Sequence, residues 1–259
     1  MLDAIYEYEL TPKSFSNMRT LVYGIFKLAK KKRLIDFSVT SVVQDMDISR
    51  KAFRRKVEDP EKEVFSTEEL PIVMDYLMEH KDIVNLGLLL IFTSGLRVGE
   101  LASLKNSDIN FRSGIIHVCR TEIRYEDGKQ AVYEVRDFPK TEAGIRDVIL
   151  PTNFVWILKE IRSINPFGEY LFERKGERIR TYVFRDRLCY ICKKLGIVRK
   201  TPHKARKTYG TMLLDGGVEE SLIISQMGHT DIRTTKKHYY KDRLSKDEKR
   251  ADIDRVIGF

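Results

Sequence analysis

Two side-chain types that bind phosphate lie three residues apart in the stretch that follows Thr201. His203 and Arg206 stand in the run Thr-Pro-His-Lys-Ala-Arg, and Thr before Pro is typical of a helix start. Residues three apart on a helix project from one face. A second histidine, His229, follows a glycine and precedes a tyrosine pair at positions 239 and 240. Cations, imidazoles and a phenol in one region suit the binding of a phosphodiester and its attack by tyrosine.

Three short helical segments are predicted to position these groups. The first runs from the Thr-Pro pair to Leu214 and stops at the glycine pair 216–217, because glycine commonly ends helices. The second runs from Glu219 to Met227, and Gly228 ends it just before His229. The third begins near Thr230 or Asp231 and ends in the tyrosine pair. The glycine corners would therefore bring the histidines, the arginine and a tyrosine together.

The combined pattern is far rarer than any of its parts, since short motifs alone have many false matches. His-x-x-Arg, then Met-Gly-His-Thr-Asp-Ile, then Thr-Thr and Tyr resemble the carboxy-terminal boxes of the tyrosine recombinase (integrase) family, especially integrases of phages and conjugative transposons. By this resemblance His203, Arg206 and His229 are catalytic and Tyr239 is the nucleophile. In that family the nucleophile falls nine or ten residues after the histidine that matches His229. Position nine is a histidine here, which cannot form a phosphotyrosine, and position ten is Tyr239. Tyr240 remains the alternative.

Two further boxes of that family have counterparts upstream. The run Ser-Gly-Leu-Arg-Val-Gly-Glu-Leu is similar to the first box, which implies that Arg97 is the first catalytic arginine and that Glu100 supports it. The triplet Pro-Lys-Thr lies between two predicted strands, where the family carries its catalytic lysine on a hairpin, so the resemblance assigns Lys140 that role. Arg146, six residues further on, either packs locally or contacts phosphate.

Composition fits a protein that meets a polyanion. The 259 residues carry a formal net charge of +9, which favours nucleic acid but does not by itself separate it from an anionic membrane. No apolar run approaches the ~20 residues of a spanning helix, and the acidic start lacks the basic-then-apolar order of a signal peptide. We therefore expect a cytoplasmic, nucleoid-associated protein with no membrane partner. The resemblance implies neither a metal ion nor another cofactor.

The predicted fold class is mainly α with a small antiparallel β-sheet (α+β), in the form of the recombinase catalytic fold. The charged stretch around Pro60 has little apolar periodicity, which places a domain boundary near residues 57–64. By the resemblance to the integrase family, residues 1–60 are part of a helical core-binding domain. That domain is short at about 60 residues, so the chain is either a fragment or a whole protein. Residues 61–259 are the catalytic domain, with a tail at 241–259.

Local patterns predict the elements of these domains. A Thr-Pro start predicts a helix from residue 11, and a Ser66–Glu69 capping box predicts another to about His80, with its first turn shifted by Pro71. The remaining predictions are an apolar helix at Asp82–Thr93 closed by Gly95, strands at Gly114–Cys119, Tyr133–Val135 and Ile145–Ile149 with a turn at 126–129, and helices at Asn153–Ser163 and Thr181–Leu195.

These observations predict a site-specific DNA recombinase, or integrase, that cleaves and rejoins strands through a covalent 3′-phosphotyrosine to integrate or excise a mobile element. The expected partner is double-stranded DNA. The resemblance implies that the tail at 241–259 docks on a neighbouring protomer in a tetramer on DNA, and the alternative is a tail that folds back on its own domain. Accessory DNA-bending or excision factors are further expected partners. The alternatives are a non-catalytic DNA-binding protein on the same fold and a type IB topoisomerase-like enzyme, which shares the Arg-Lys-Arg-His-Tyr chemistry.

Overall fold

The computed structural model describes residues 7–38, 40, 53, 60–137, 144–229 and 250. The chain divides into two compact units, residues 1–58 and 59–259. In the first unit, helix α1 spans Pro12–Lys31, and Thr11 caps it by accepting a hydrogen bond from the Ser14 backbone N–H at 3.2 Å. The Thr-Pro pair therefore starts this helix as the sequence predicts.

The second unit begins with a short helix, α2 (Pro60–Glu63), and then α3 (Glu69–Glu79). The predicted capping box is present: the Ser66 N–H donates to Glu69 Oε2 at 3.0 Å, and the Glu69 N–H donates to Ser66 Oγ at 3.1 Å. Because α3 begins at Glu69, Pro71 lies in its first turn, where a backbone N–H has no helical partner to lose.

Helix α4 (Ile83–Ser94) is the centre of the second unit. All 12 of its residues are buried, as expected of a helix that is apolar on every face. Asp82 caps it by accepting from the N–H groups of Val84 and Asn85 at 2.9 and 2.8 Å. Gly95 ends it in the left-handed conformation, with φ of 67°. Helix α5 (Val98–Ser103) starts three residues later.

The strands form small antiparallel sheets. Strands β1 (Ile109–Asn110), β2 (Ile115–Val118) and β5 (Arg146–Ile149) make one sheet, in the order β1-β2-β5. Strands β3 (Thr121–Asp127) and β4 (Gln130–Arg136) form a hairpin whose turn is at the predicted position. The sequence reasoning missed β3. This hairpin packs closely on α5, since a Cβ at Gly99 would lie 2.7 Å from the Glu122 carbonyl oxygen.

Four further helices follow within the described residues, and the first three of them pack on α4. They are α6 (Val155–Ile164), α7 (Thr181–Lys194), α8 (Pro202–Asp215) and α9 (Glu220–Met227), with the two-residue strands β6 (Glu173–Arg174) and β7 (Glu177–Arg178) between α6 and α7. The predicted helices that fall within the described residues all occur, with ends that differ by a few residues; the predicted third segment, from Thr230 or Asp231 to the tyrosine pair, lies outside the described residues. The chain is thus mainly helical with small antiparallel sheets, and among the helices of the described ranges none has the length and apolarity needed to cross a membrane.

Polar contacts fix the start of the second unit onto α8. Glu63 accepts hydrogen bonds from the ammonium groups of Lys204 and Lys207, and the Phe65 N–H donates to Thr208 Oγ1 at 2.8 Å. Burial alone would raise the pKa of Glu63, but the hydrogen bonds and charges of the two lysines lower it to about 2. Helix α8 is therefore anchored by the segment that enters the unit.

Candidate active site

A sharp corner between α4 and α5 presents Arg97. At Gly95 an L side chain would be strained by the positive φ, and its Cβ would lie 2.3 Å from Cδ1 of Tyr209, so glycine suits this position. Arg97 then occupies the N-cap of α5, where its N–H donates to Glu100 Oε2 at 2.9 Å. Its side chain is 40% exposed, and Nη2 donates to the Gly228 carbonyl at 3.1 Å.

Glu100 is the buried carboxylate on which the corner is centred. Its side chain is 2% exposed, and Oε1 accepts from Arg97 Nη1 at 2.7 Å. Arg146 donates to both oxygens, from Nη1 to Oε1 at 3.0 Å and from Nη2 to Oε2 at 2.9 Å. Burial alone would raise the pKa of Glu100, but the hydrogen bonds and charge of Arg146, with the charges of Arg206 and Arg97, lower it to about 2. Glu100 is therefore ionised at neutral pH.

Arg206 joins the corner to the end of α9. It lies on the buried side of α8 and is fully buried. Nη1 donates to the Gly95 carbonyl, and Nη2 donates to the Met227 carbonyl and to His229 Nε2, the last at 3.1 Å. The carbonyls at the two helix ends, α4 and α9, are thus held by one guanidinium.

His229 is held directly beyond the left-handed Gly228 that ends α9. Burial, followed by the charges of Arg206, Arg97 and Arg146, lowers the pKa of its imidazole to about 3, so the ring is neutral near pH 7. An arginine N–H can only donate, so Nε2 is the acceptor of the bond from Arg206. It follows that the ring proton lies on Nδ1.

His203 occupies a different environment from Arg206. The sequence spacing places both on one face of α8, and the structure shows His203 exposed whereas Arg206 is buried. Partial desolvation of the His203 imidazole, together with the charges of Lys207, Arg206 and Lys204, lowers its pKa to about 4. His203 is therefore also neutral at pH 7 and keeps contact with solvent.

The structure brings together three of the residues that the sequence singled out: Arg97, Arg206 and His229 share one corner. Lys140, Tyr239 and the alternative Tyr240 lie outside the described residues. The positions of these three groups relative to the arginines therefore stay predictions.

The sequence model of the phage integrase family matches residues 63–245, which is more than half of the chain. The chain belongs to this family. A XerC-like tyrosine recombinase from Caldanaerobacter subterraneus subsp. tengcongensis is 30% identical over 205 residues, which cover 70% of this chain and 51% of that protein. The tyrosine recombinase XerA of Thermococcus kodakarensis is 30% identical over 181 residues, which cover 66% of this chain and 56% of that protein. The chain thus spans about half the length of the curated relatives it matches.

Solved structures share the fold. An integrase of the Tn1549 transposon in complex with a circular intermediate DNA superposes with a TM-score of 0.72 at 19% identity, covering 98% of this chain and 83% of that one. A crystal structure of XerA recombinase superposes with a TM-score of 0.57 at 22% identity, and the match covers 98% of this chain and 87% of that one. At such identities the likeness establishes the integrase fold alone.

Sequence reasoning did not foresee how Arg146 is used in this phage integrase domain. Local packing was one of the two roles considered for it, and the structure shows a buried side chain bonded to Glu100. Its Nε also donates to the Gln226 carbonyl at 3.0 Å, while Gln226 Oε1 accepts from the Ile149 N–H at 3.2 Å. The signal in the sequence was its position on a predicted strand, where Arg146 shares one face with the apolar Val148.

Proposed function

We propose that this chain is a site-specific DNA recombinase of the integrase type. It cleaves and rejoins DNA strands through a covalent 3′-phosphotyrosine, and so integrates or excises a mobile element. The observation that carries the proposal is the convergence of Arg97, Arg206 and His229 on one corner around ionised Glu100. Membership of the phage integrase family supports it. So do structural neighbours bound to DNA, among them a lambda integrase dimer bound to a core site.

The charge at this corner suits a phosphodiester. Three guanidinium groups, those of Arg97, Arg146 and Arg206, surround the carboxylate of Glu100, so these four groups together carry a net positive charge at neutral pH. Of the three arginine side chains only Arg97 is substantially exposed, at 40%. An incoming phosphate would therefore meet Arg97 first, and its paired N–H groups can fork onto two non-bridging oxygens.

His229 and Arg206 would act as a pair. Arg206 holds the neutral imidazole by Nε2, which makes Nδ1–H the donor for a phosphate oxygen. Arg206 adds positive charge where negative charge grows in the transition state, and a preorganised donor of this kind contributes about 3–4 kcal/mol to lowering the barrier. Arg206 is fully buried in this structure, so direct contact with phosphate would require a rearrangement of the corner. His203, exposed on α8, would meet the DNA as a further donor.

The covalent step uses two residues assigned by the resemblance. The phenolate oxygen of Tyr239 attacks phosphorus, the bond from phosphorus to the 5′ oxygen breaks, and Lys140 donates a proton to that oxygen. Nearby cations favour the phenolate over the phenol. The phosphotyrosine bond conserves the energy of the broken linkage, so the reverse attack by a 5′ hydroxyl reseals a strand.

The larger assembly belongs to the same proposal. Residues 1–60 would form part of a core-binding domain that holds double-stranded DNA, and residues 61–259 the catalytic domain. The tail at 241–259 would dock on a neighbouring protomer in a tetramer on DNA. Accessory DNA-bending or excision factors would decide whether the element is integrated or excised, and the protein would act in the nucleoid.

The test is trapping of the covalent intermediate by the full chain on a nicked duplex that carries the end of the mobile element. We expect a slow-migrating protein–DNA adduct with the wild type. Tyr239→Phe should give none, and Arg206→Lys should form it about 100- to 1,000-fold more slowly. DNA affinity should fall steeply with salt, because several phosphate contacts release counterions.

The control is Arg187→Lys. Arg187 pairs with Asp82 at the amino-terminal end of α4, the end remote from Gly95, so adduct formation should match that of the wild type. Unchanged cleavage by Tyr239→Phe or Arg206→Lys would refute those assignments. Binding without any adduct would indicate the DNA-binding alternative, and relaxation of supercoiled DNA without pairing of two sites would indicate a topoisomerase-like enzyme.

A further inference from the structure

Arg146 donates hydrogen bonds to Glu100, Gly144 and Gln226 at the corner, yet it is none of the residues assigned a catalytic role. Its side chain is 5% exposed. Two of its nitrogens grip the two oxygens of Glu100 at 3.0 and 2.9 Å. This two-pronged arrangement fixes both the position and the rotation of the carboxylate, because the planar guanidinium matches the planar carboxylate.

The same guanidinium reaches two other segments of the chain. Nε donates to the carbonyl of Gln226 in the last turn of α9 at 3.0 Å, and Nη1 also donates to the Gly144 carbonyl at 3.2 Å. Ile149, on the same strand as Arg146, donates its N–H to Gln226 Oε1 at 3.2 Å. Strand β5 therefore holds α5 through Glu100 and the end of α9 through Gln226.

The groups that Arg146 holds are those that position the arginines assigned to catalysis. Glu100 accepts from Arg97 at 2.7 Å. The two carbonyls that follow Gln226, at positions 227 and 228, accept from Arg206 and Arg97 respectively. The next residue along the chain is the histidine at 229. A displacement of the Gln226 carbonyl or of the Glu100 carboxylate would therefore be passed to all three assigned residues.

From this geometry we infer that Arg146 is a positioning residue, which holds Arg97, Arg206 and His229 in register through Glu100 and the Gln226 carbonyl. The role rests on the proposed recombinase function for its effect on rate, but the arrangement itself can be tested without DNA. A lysine would keep the positive charge and lose the fork, because an ammonium group is a point charge without planar paired donors.

The experiment compares Arg146→Lys with the wild type in the full chain, with two readouts. The first is the NMR titration of the His229 imidazole in the absence of DNA. Lysine keeps the charge at position 146, so a change in this titration reports geometry. We expect the variant to weaken the bond from Arg206 to Nε2 and to raise the His229 pKa from about 3 toward its ordinary value of about 6.5.

The second readout separates binding from chemistry on the nicked duplex. We expect Arg146→Lys to bind DNA with an unchanged Kd and to form the covalent adduct about 100-fold more slowly, since misplacing catalytic groups by about 1 Å costs a factor of that size. Arg187→Lys, the matched arginine–carboxylate pair at the far end of α4, should change neither readout.

The outcomes separate this inference from the proposed function. A His229 titration and an adduct rate equal to those of the wild type would overturn the positioning role. A wild type that forms no adduct would count against the recombinase function, while the His229 titration would still decide the role of Arg146. If Arg146→Lys does not fold, the wild type provides the test by NMR: the Arg146 Nε–H, which donates to the Gln226 carbonyl from a buried side chain, should exchange with solvent far more slowly than the Nε–H of exposed Arg112, and equal exchange rates would overturn the inference.

Discussion

Replacing Glu100 by glutamine should destabilise the folded protein strongly, and the loss should depend on pH. The pKa of Glu100 falls from 4.5 to about 2 on folding. Since each pKa unit corresponds to about 1.4 kcal/mol, its ionisation contributes about 3 kcal/mol to the free energy of unfolding at neutral pH. Breaking a buried ion pair by removing one partner costs about 3–5 kcal/mol. We expect Glu100→Gln to lose about that much at pH 7.

The pH dependence follows from a pKa that is lowered in the folded state. The contribution of Glu100 is fully present above the unfolded pKa of 4.5 and is lost as the pH falls toward about 2. At pH 3 about 2 kcal/mol of it should be lost, so the difference between wild type and Glu100→Gln should shrink by about that much. Glu63, whose pKa is also about 2, titrates in both proteins and cancels in the difference.

Urea unfolding followed by circular dichroism at pH 7 and pH 3 measures these differences. Glu160→Gln, an exposed position on α6, is the matched control and should leave the free energy of unfolding unchanged at both values. A Glu100→Gln protein as stable as the wild type at pH 7 would refute the reasoning. So would a loss of the same size at both pH values, because it would show that the ionised carboxylate is not what stabilises the corner.

Three further predictions test the geometry around the corner. Gly95→Ala should lower the free energy of unfolding by more than the ~1–2 kcal/mol that a left-handed alanine costs, because its Cβ would lie 2.3 Å from Tyr209. Gly128→Ala is the control, since its φ is 61° and nothing lies within 4 Å of its Cβ, so it should lose only the cost of the left-handed backbone. Equal losses of the two variants in urea unfolding would contradict this prediction. In NMR spectra His229 should carry its proton on Nδ1 and stay neutral until the pH approaches about 3. The free energy of unfolding should therefore fall as the pH drops below about 6.5, because there only the unfolded state takes up the proton. A His229 titration midpoint near pH 6.5 would exclude a buried ring flanked by cations. Thr208→Val should lose about 1–3 kcal/mol in urea unfolding because it leaves a buried N–H without its acceptor, whereas Thr208→Ser should retain most of the stability.

The helix limits could be predicted because local chemistry sets them. Asp82 and Gly95 at the two ends of α4 act on backbone groups within a few residues, and so does the Ser66–Glu69 box before α3. Such signals do not depend on the rest of the fold. The glycine corner that presents Arg97 belongs to the same class, which is why its place was predictable from sequence.

The faces of the strands were not predictable in this way. In the run Ile145-Arg146-Asp147-Val148-Ile149 the two isoleucines lie on one face of a strand, and Arg146 lies on the other face with Val148. The number of apolar residues favours burial of the isoleucine face. The structure instead exposes Ile145 and Ile149, at 47% and 53%, and buries Arg146. The reason is a partner distant in sequence, since the guanidinium is compensated by Glu100 46 residues away.

Strand β3 escaped prediction for a related reason. Its buried residue is Glu122, which is stabilised inside the protein by hydrogen bonds from Arg178 and from the Thr181 N–H. A carboxylate at the buried position of a strand hides the alternation of apolar and polar residues from which strands are predicted. Only the folded chain shows that its partners, more than 50 residues away, make that burial possible.

The most direct test of the central claim is to identify the residue that becomes attached to DNA. The wild-type protein is incubated with the nicked duplex that carries the element's end, the adduct is digested, and mass spectrometry locates the modified residue. We predict a nucleotide joined through a 3′ phosphate to Tyr239. Attachment at Tyr240 would keep the reaction and correct the nucleophile. The absence of any phosphotyrosine, from protein that binds the duplex, would contradict the claim that this corner cleaves DNA.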